Sequence, residues 1–158
     1  MATKNGIIAF EASVPLFEAV EAKNEEVITT LNSRKRAIVF MAHIKEFHFE
    51  RALMEEHFNK NYMESSKYPK ATFKGVIEKF DLKNITEKAT EYQINGKIVI
   101  HGKSKYISVI AKIKKVAEGI ELSSNFSLNT DDFNIEIPYI VRSKISKNVT
   151  IKVKSVLQ

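Results

Sequence analysis

Apolar and polar residues alternate along most of this chain, and the alternation predicts strands. Gly6 to Ala12 and Glu26 to Leu31 read as short strands. Arg36 to Ile44, RAIVFMAHI, is almost continuously apolar, as for a strand covered on both faces. From Thr72 to Asp81, Phe73 and Ile77 oppose Lys74 and Glu78. Asn95-Gly96 is a strong local hairpin signal. A two-residue loop there would set Ile94 opposite Lys97 and Gln93 opposite Ile98, mixing polar and apolar side chains on both faces. A continuous strand keeps Tyr92, Ile94, Ile98 and Ile100 on one face, with Gln93, Asn95, Lys97 and His101 on the other. A one-residue slip reverses every side chain, so the pattern outweighs the dipeptide. Gly96 is then a strand-interior glycine that marks a bend, a bulge or a close approach.

Two turns extend the pattern into a meander. A turn at Gly102-Lys103 sets Ile98 opposite Ile107, and one at Glu118-Gly119 sets Ala111 opposite Phe126. One face then gathers Ile98, Ile100, Ile107, Val109, Ala111, Ile113, Leu122, Phe126 and Leu128, while Lys97, Lys112, Lys114, Glu121 and Asn125 lie on the other. Asn148 to Val156 repeats it, with Val149, Ile151 and Val153 inward. Strands near residues 6, 26, 36, 72, 90, 105, 120 and 148 make eight. Eight tilted antiparallel strands close into a barrel whose bore holds side chains or one small ligand. A two-sheet sandwich shows the same alternation.

Between the third and fourth strands the period changes. Glu50 to Met63 contains no Gly or Pro, and Met54, Phe58 and Tyr62 recur at helical spacing beside Leu53 and His57. The predicted helix stops at Ser65-Ser66 and Pro69. It reads either as packing on a barrel end or as gating a ligand mouth, with Val39, Met41 and His43 of the third strand beneath it. Ser13-Val14-Pro15 starts a helical turn through Ala19 in this reading. Pro138 either opens a helix through Ser146 or belongs to an irregular loop across the barrel end.

A length of 158 residues suits a single domain spanning 1–158, and 44% hydrophobic content suits an ordinary core. No apolar run approaches the ~20 residues of a membrane-spanning helix. The N-terminus lacks the apolar core of a secretory signal, which fits a cytoplasmic protein, or a periplasmic or secreted one whose signal was removed. The absence of cysteine excludes a disulfide framework and thiol catalysis. The four histidines show no metal-binding spacing, and no GxSxG, GxGxxG or phosphate-binding loop is present. Asp131-Asp132 reads as turn or capping chemistry. The residues therefore give no catalytic constellation, metal site or cofactor.

Four segments resemble the YceI-like family of lipocalin-like barrels: FEASVPLFEAVEAKN, EHFNKNYMESSKYPKATFKG, GKIVIHGKSK and DDFNIEIPYIVRSKISKNVTIKV. They fall in family order across essentially the whole chain. The resemblance implies an all-β, extended eight-stranded antiparallel barrel with one or two short helices. It also implies export to the periplasm or beyond, and a bore that holds an isoprenoid tail. Function is then expected to be non-enzymatic carriage of a long apolar molecule: a polyisoprenoid, an isoprenoid quinone or another lipid. Strand parity supplies the candidate lining residues Phe40, Phe73, Ile77, Ile98, Ile100, Val109, Phe126 and Ile151. The same side chains fill the core if the barrel is narrow. Phe58, Asn59, Asn61, Tyr62 and Lys67 are the candidate contacts at the mouth.

The net charge of +6 bears on a second class of function. A basic small barrel binds anionic polymers or nucleic acid on its outer face when aromatic side chains are interleaved for stacking. Tyr106 with Lys112 and Lys114 is the single grouping of that kind, so no nucleic-acid partner is expected. A homodimer is a candidate assembly.

Overall fold

The computed structural model describes residues 1–158. Its eight antiparallel strands form one closed barrel in chain order. They are β1 (Ala2–Ser13), β2 (Glu21–Asn32), β3 (Ala37–His43), β4 (Lys70–Ile77), β5 (Thr90–Ile100), β6 (Lys103–Val116), β7 (Gly119–Asn129) and β8 (Ile145–Leu157). β1 pairs with both β2 and β8, for example Ala9 with Lys23 and with Lys152. Closure through β1 decides for a barrel over a sandwich and leaves no free sheet edge.

Alternation is the reason the sheet curls around its own side chains. In β3 Ile38, Phe40 and Ala42 are buried while Val39 and Met41 are only half-buried. That strand is thus covered on one face, not two, and its apolar outer residues face partly to solvent. β5 runs unbroken through Asn95-Gly96. Gly96 pairs with Gly75 of β4, and a Cβ on Gly96 would lie 2.4 Å from the Lys74 carbonyl oxygen. The two glycines bring β4 and β5 together closely and leave room for the Phe73 ring to lie over them.

Both predicted turns come one residue earlier than their dipeptides imply. His101-Gly102 forms the β5–β6 turn, pairing Ile100 with Lys103 and Ile94 with Val109. Both turn residues have positive φ, 54° and 73°, as a two-residue primed turn requires. The β6–β7 turn is Ala117-Glu118, so Ala111 faces Ser124 and Ile113 faces Leu122. Each correction moves the pairing by two residues and therefore leaves every side chain on its expected face.

The connections differ sharply between the two ends. One end has tight β2–β3 and β6–β7 turns, the chain termini, and the β4–β5 loop that tucks in Phe80 and Ile85. The other end carries the β1–β2, β3–β4 and β7–β8 loops. The β3–β4 loop holds the one short α-helix, α1 (Ala52–His57), which continues into a π-helical turn over Phe58–Tyr62. The wider turn is explicit in the Met63 amide donating to the Phe58 carbonyl at 2.9 Å. Residues 14–20 form a turn with Leu16 at positive φ instead of a helical turn. Residues 131–144 take the irregular form, with 3-10 turns at Thr130–Phe133 and Tyr139–Val141.

Candidate functional site

The barrel encloses a cavity of about 480 Å³ bordered by 41 residues, 32 of them hydrophobic. Such a composition solvates an apolar molecule and offers few partners to a polar one. The cavity occupies the half of the bore beneath the long loops. Its floor is made by Ile94 and Leu122, below which Ile38, Ile77, Ile113 and Leu157 are packed to full burial. Phe80 closes the lower end, its ring edge-on to Tyr92 with centroids 5.6 Å apart.

Four phenylalanines make the roof. Phe58 from the π-helical turn lies 5.4 Å from Phe10 of β1, 6.0 Å from Phe47 and 5.1 Å from Phe49, centroid to centroid. All four border the cavity. Phe47 and Phe49 face inward because His48 between them pairs with Lys23, extending the sheet past the end of β3. The Phe49 amide donates to Glu55 Oε1 of α1 at 3.0 Å, tying this strap to the helix. The helix thus faces the mouth with its apolar stripe and does not cover the outside of β3, where His43 is exposed.

The cavity reaches the surface between the β1–β2 loop, the start of α1 and the β7–β8 loop, where Glu18, Arg51, Leu53, Val141 and Lys144 border it. Arg51 donates to both Glu18 carboxylate oxygens, at 2.5 and 2.6 Å. That hydrogen bond holds the Glu18 carboxyl below its usual range and joins the β1–β2 loop to the helix. On the opposite side of the mouth His101 joins three segments. Its Nδ1 lies 2.9 Å from the Phe133 carbonyl oxygen, its Nε2 2.6 Å from Glu64 Oε2, and its ring edge-on to Tyr68.

Among the expected lining residues, Phe40, Phe73, Ile98, Ile100, Val109, Phe126 and Ile151 all border the cavity. Ile77 does not: it lies in the packed layer under the floor and is fully buried. Of the expected mouth residues, Phe58 and Tyr62 border the cavity, and burial pushes the Tyr62 phenol up, away from ionisation. Asn59 sits at the helix end, its Nδ2 donating to the Glu55 carbonyl at 3.0 Å. Asn61 and Lys67 are exposed and do not border the cavity, and the Lys67 ammonium lies over the Tyr68 ring. Residues that strand parity did not single out complete the site: Phe10, Phe47, Phe49 and Phe133. The two phenylalanines around His48 carried an alternating signal, F-H-F, that fits their inward placement.

Several other titratable groups lie outside the cavity. Glu26 and Glu46 share a hydrogen bond that raises the first carboxyl and lowers the second, on the outer surface and away from the cavity. Asn129 caps the 3-10 turn after β7, its side chain accepting from the Asp131 amide, and Asp131 and Asp132 within that turn pair with Lys147 and Lys105. Tyr106 is exposed on the outer wall. Lys114 and Lys154 both reach Glu121, at 3.6 and 3.3 Å, so the basic wall is partly neutralised.

A closed eight-stranded barrel, blind at one end, with an apolar bore opening under a short helix, defines a lipocalin-like binding barrel. The YceI-like domain matches residues 6–157, and the chain belongs to that family. The structure is similar to a polyisoprenoid-binding domain from Saccharophagus degradans implicated in plant cell wall breakdown. The TM-score is 0.82 at 11% identity, over 96% of this chain and 92% of that one. It is also similar to BcnA of Burkholderia cenocepacia, with TM-score 0.75, 15% identity and 94% of both chains covered. A YceI protein of Campylobacter jejuni aligns with TM-score 0.60 and 23% identity, over 84% of this chain and 81% of that one. No curated protein sequence matches this chain.

Proposed function

We propose that this protein is a non-enzymatic carrier that holds one long apolar molecule in the upper half of its barrel. The observation that carries the reading is the cavity itself: about 480 Å³, almost wholly apolar, roofed by four phenylalanines and open at one end. That volume falls in the range of about 300–1,000 Å³ typical of small-molecule sites. Affinity would come from burial of the chain, at roughly 25 cal/mol per Å² of apolar surface removed from water. The polyisoprenoid-binding neighbour supports an isoprenoid tail as the cargo, with a quinone or another lipid as members of the same class. Phe40, Phe73, Ile98, Ile100, Val109, Phe126 and Ile151 form the walls of this site. Export to the periplasm, with the protein transporting its cargo across an aqueous space, fits the family.

Native mass spectrometry of freshly purified protein, followed by organic extraction, tests the reading. A co-purifying long-chain lipid at one copy per chain supports it and names the cargo class. A bare chain that also fails to bind a titrated long-chain isoprenoid in detergent-free buffer rejects it.

A further inference from the structure

The mouth is ringed by apolar side chains that nothing in the fold covers. Leu16 in the β1–β2 loop is 103% exposed, Leu53 on α1 63%, and Tyr139 and Ile140 in the β7–β8 loop 83% and 86%. Phe17 adds a fifth at 46%. They sit at the tips of three separate loops, beside the residues that border the cavity opening: Glu18, Arg51 and Val141. Leu16 is held outward at φ 73°, a left-handed conformation unfavourable for a bulky side chain. Singly exposed apolar side chains are ordinary on a protein surface; what sets these five apart is that they gather around one opening.

Charge narrows the partner. The three mouth loops, residues 14–20, 44–69 and 130–144, carry six basic and nine acidic side chains, a net of −3 in a chain whose total is +6. The positive charge is therefore on the barrel wall and away from the mouth. We infer that the rim docks on the surface of a phospholipid bilayer by shallow insertion of Leu16, Phe17, Leu53, Tyr139 and Ile140, without needing anionic lipid. The inference rests on the carrier reading, because a bilayer is the partner that can pass an apolar chain into this opening without exposing it to water. Separate apolar tips suit a soft lipid surface, whereas a folded protein partner would meet one contiguous patch.

Flotation of the full chain with phosphatidylcholine vesicles is the test. The protein is expected to float with them, equally at low and high salt. Leu16→Ser with Ile140→Ser, both outside the cavity, should weaken the partition at least about tenfold. A parallel titration with a fluorescent fatty acid in vesicle-free buffer reads the bore and should be the same for both proteins. Vesicle binding without fatty-acid uptake would sink the carrier reading and leave the rim standing. Uptake without flotation on phosphatidylcholine overturns the rim inference alone. So does flotation confined to phosphatidylglycerol vesicles and abolished by salt, which would place the contact on the basic wall. A double variant that floats like the parent, or a rim-dependent dimer that ignores vesicles, overturns it as well.

Discussion

The two halves of the bore are walled by the same strands with the same alternation, yet one is solid and the other hollow. Below the floor, Ile38, Ile77, Ile113 and Leu157 are fully buried, and Phe80 tucks in from the β4–β5 loop. Above it, Phe40, Val109, Phe126 and Ile151 border open space. The difference lies in what the connections deliver. At the lower end the β2–β3 and β6–β7 turns leave little to span, and the β4–β5 loop fills it with Phe80 and Ile85. The long loops at the upper end raise their aromatics into a roof and so hold the walls apart. Interiors pack densely when side chains can reach one another, and here the loops decide whether they can.

Truncation should separate the halves most strongly. Phe80→Ala is expected to cost about 3–5 kcal/mol, because it opens a hole in a packed layer. Phe126→Ala removes a ring that already borders space, and about 1–2 kcal/mol is expected. Urea unfolding of both variants checks this, and equal losses would break the contrast. Next is the narrow point between β4 and β5. Gly96→Ala puts a methyl against the Lys74 carbonyl and the Phe73 ring, so about 2 kcal/mol of destabilisation is expected by the same measurement.

Filling the hollow half should do the reverse. Val109→Trp occupies cavity volume and should lower the affinity for a fluorescent fatty acid about tenfold, about 1.4 kcal/mol, while stability holds. A stability loss as large as that of Phe80→Ala would mean the upper half is packed after all. His101→Ala removes the bridge between Glu64 and Phe133, and about 1 kcal/mol is expected. Hydrogen exchange should quicken in residues 130–144 and not in the lower end. The smallest effect is on pH. The Glu18 carboxyl is held below its ordinary value of 4.5 by Arg51. Its contribution is present above that value and lost as pH falls through the lower folded value. Protection factors in residues 14–20, taken against the intrinsic exchange rate at each pH, should therefore fall in acid, and Arg51→Gln should remove the dependence. Because the pair is exposed, the change in global stability should be slight.

Alternation made the walls readable. Val109 and Phe126 face the bore as parity predicts, since both turns were misplaced by one residue and the pairing shifted by two. The dipeptide Gly102-Lys103 misled because glycine is only one of the residues that adopt positive φ. His101 takes the other turn position, and histidine is enriched there. Its role as a bridge was hidden because Glu64 and Phe133 lie 37 and 32 residues away. The status of Ile77 was equally hidden. Its parity is that of Phe73, but whether an inward residue lines space or packs depends on how far down the bore it lies. Depth is set by loop placement, which periodicity does not encode. The predicted turn of helix after Ser13 failed where Leu16 adopts positive φ, and Arg36 to Ile44 read as doubly covered because Val39 and Met41 are apolar on an outer face.

The plug made by Phe80 has a consequence for order in time. A tube sealed at one end admits a chain from one direction only, so whichever terminus goes in first comes out last. On the proposed carrier reading, a molecule with a polar head and an apolar tail would enter tail first and keep its head at the rim. The sealed end also works as a gauge. A tail longer than the hollow half must double back or leave its last segment outside, so the height of the floor, at Ile94 and Leu122, sets which lengths are held completely.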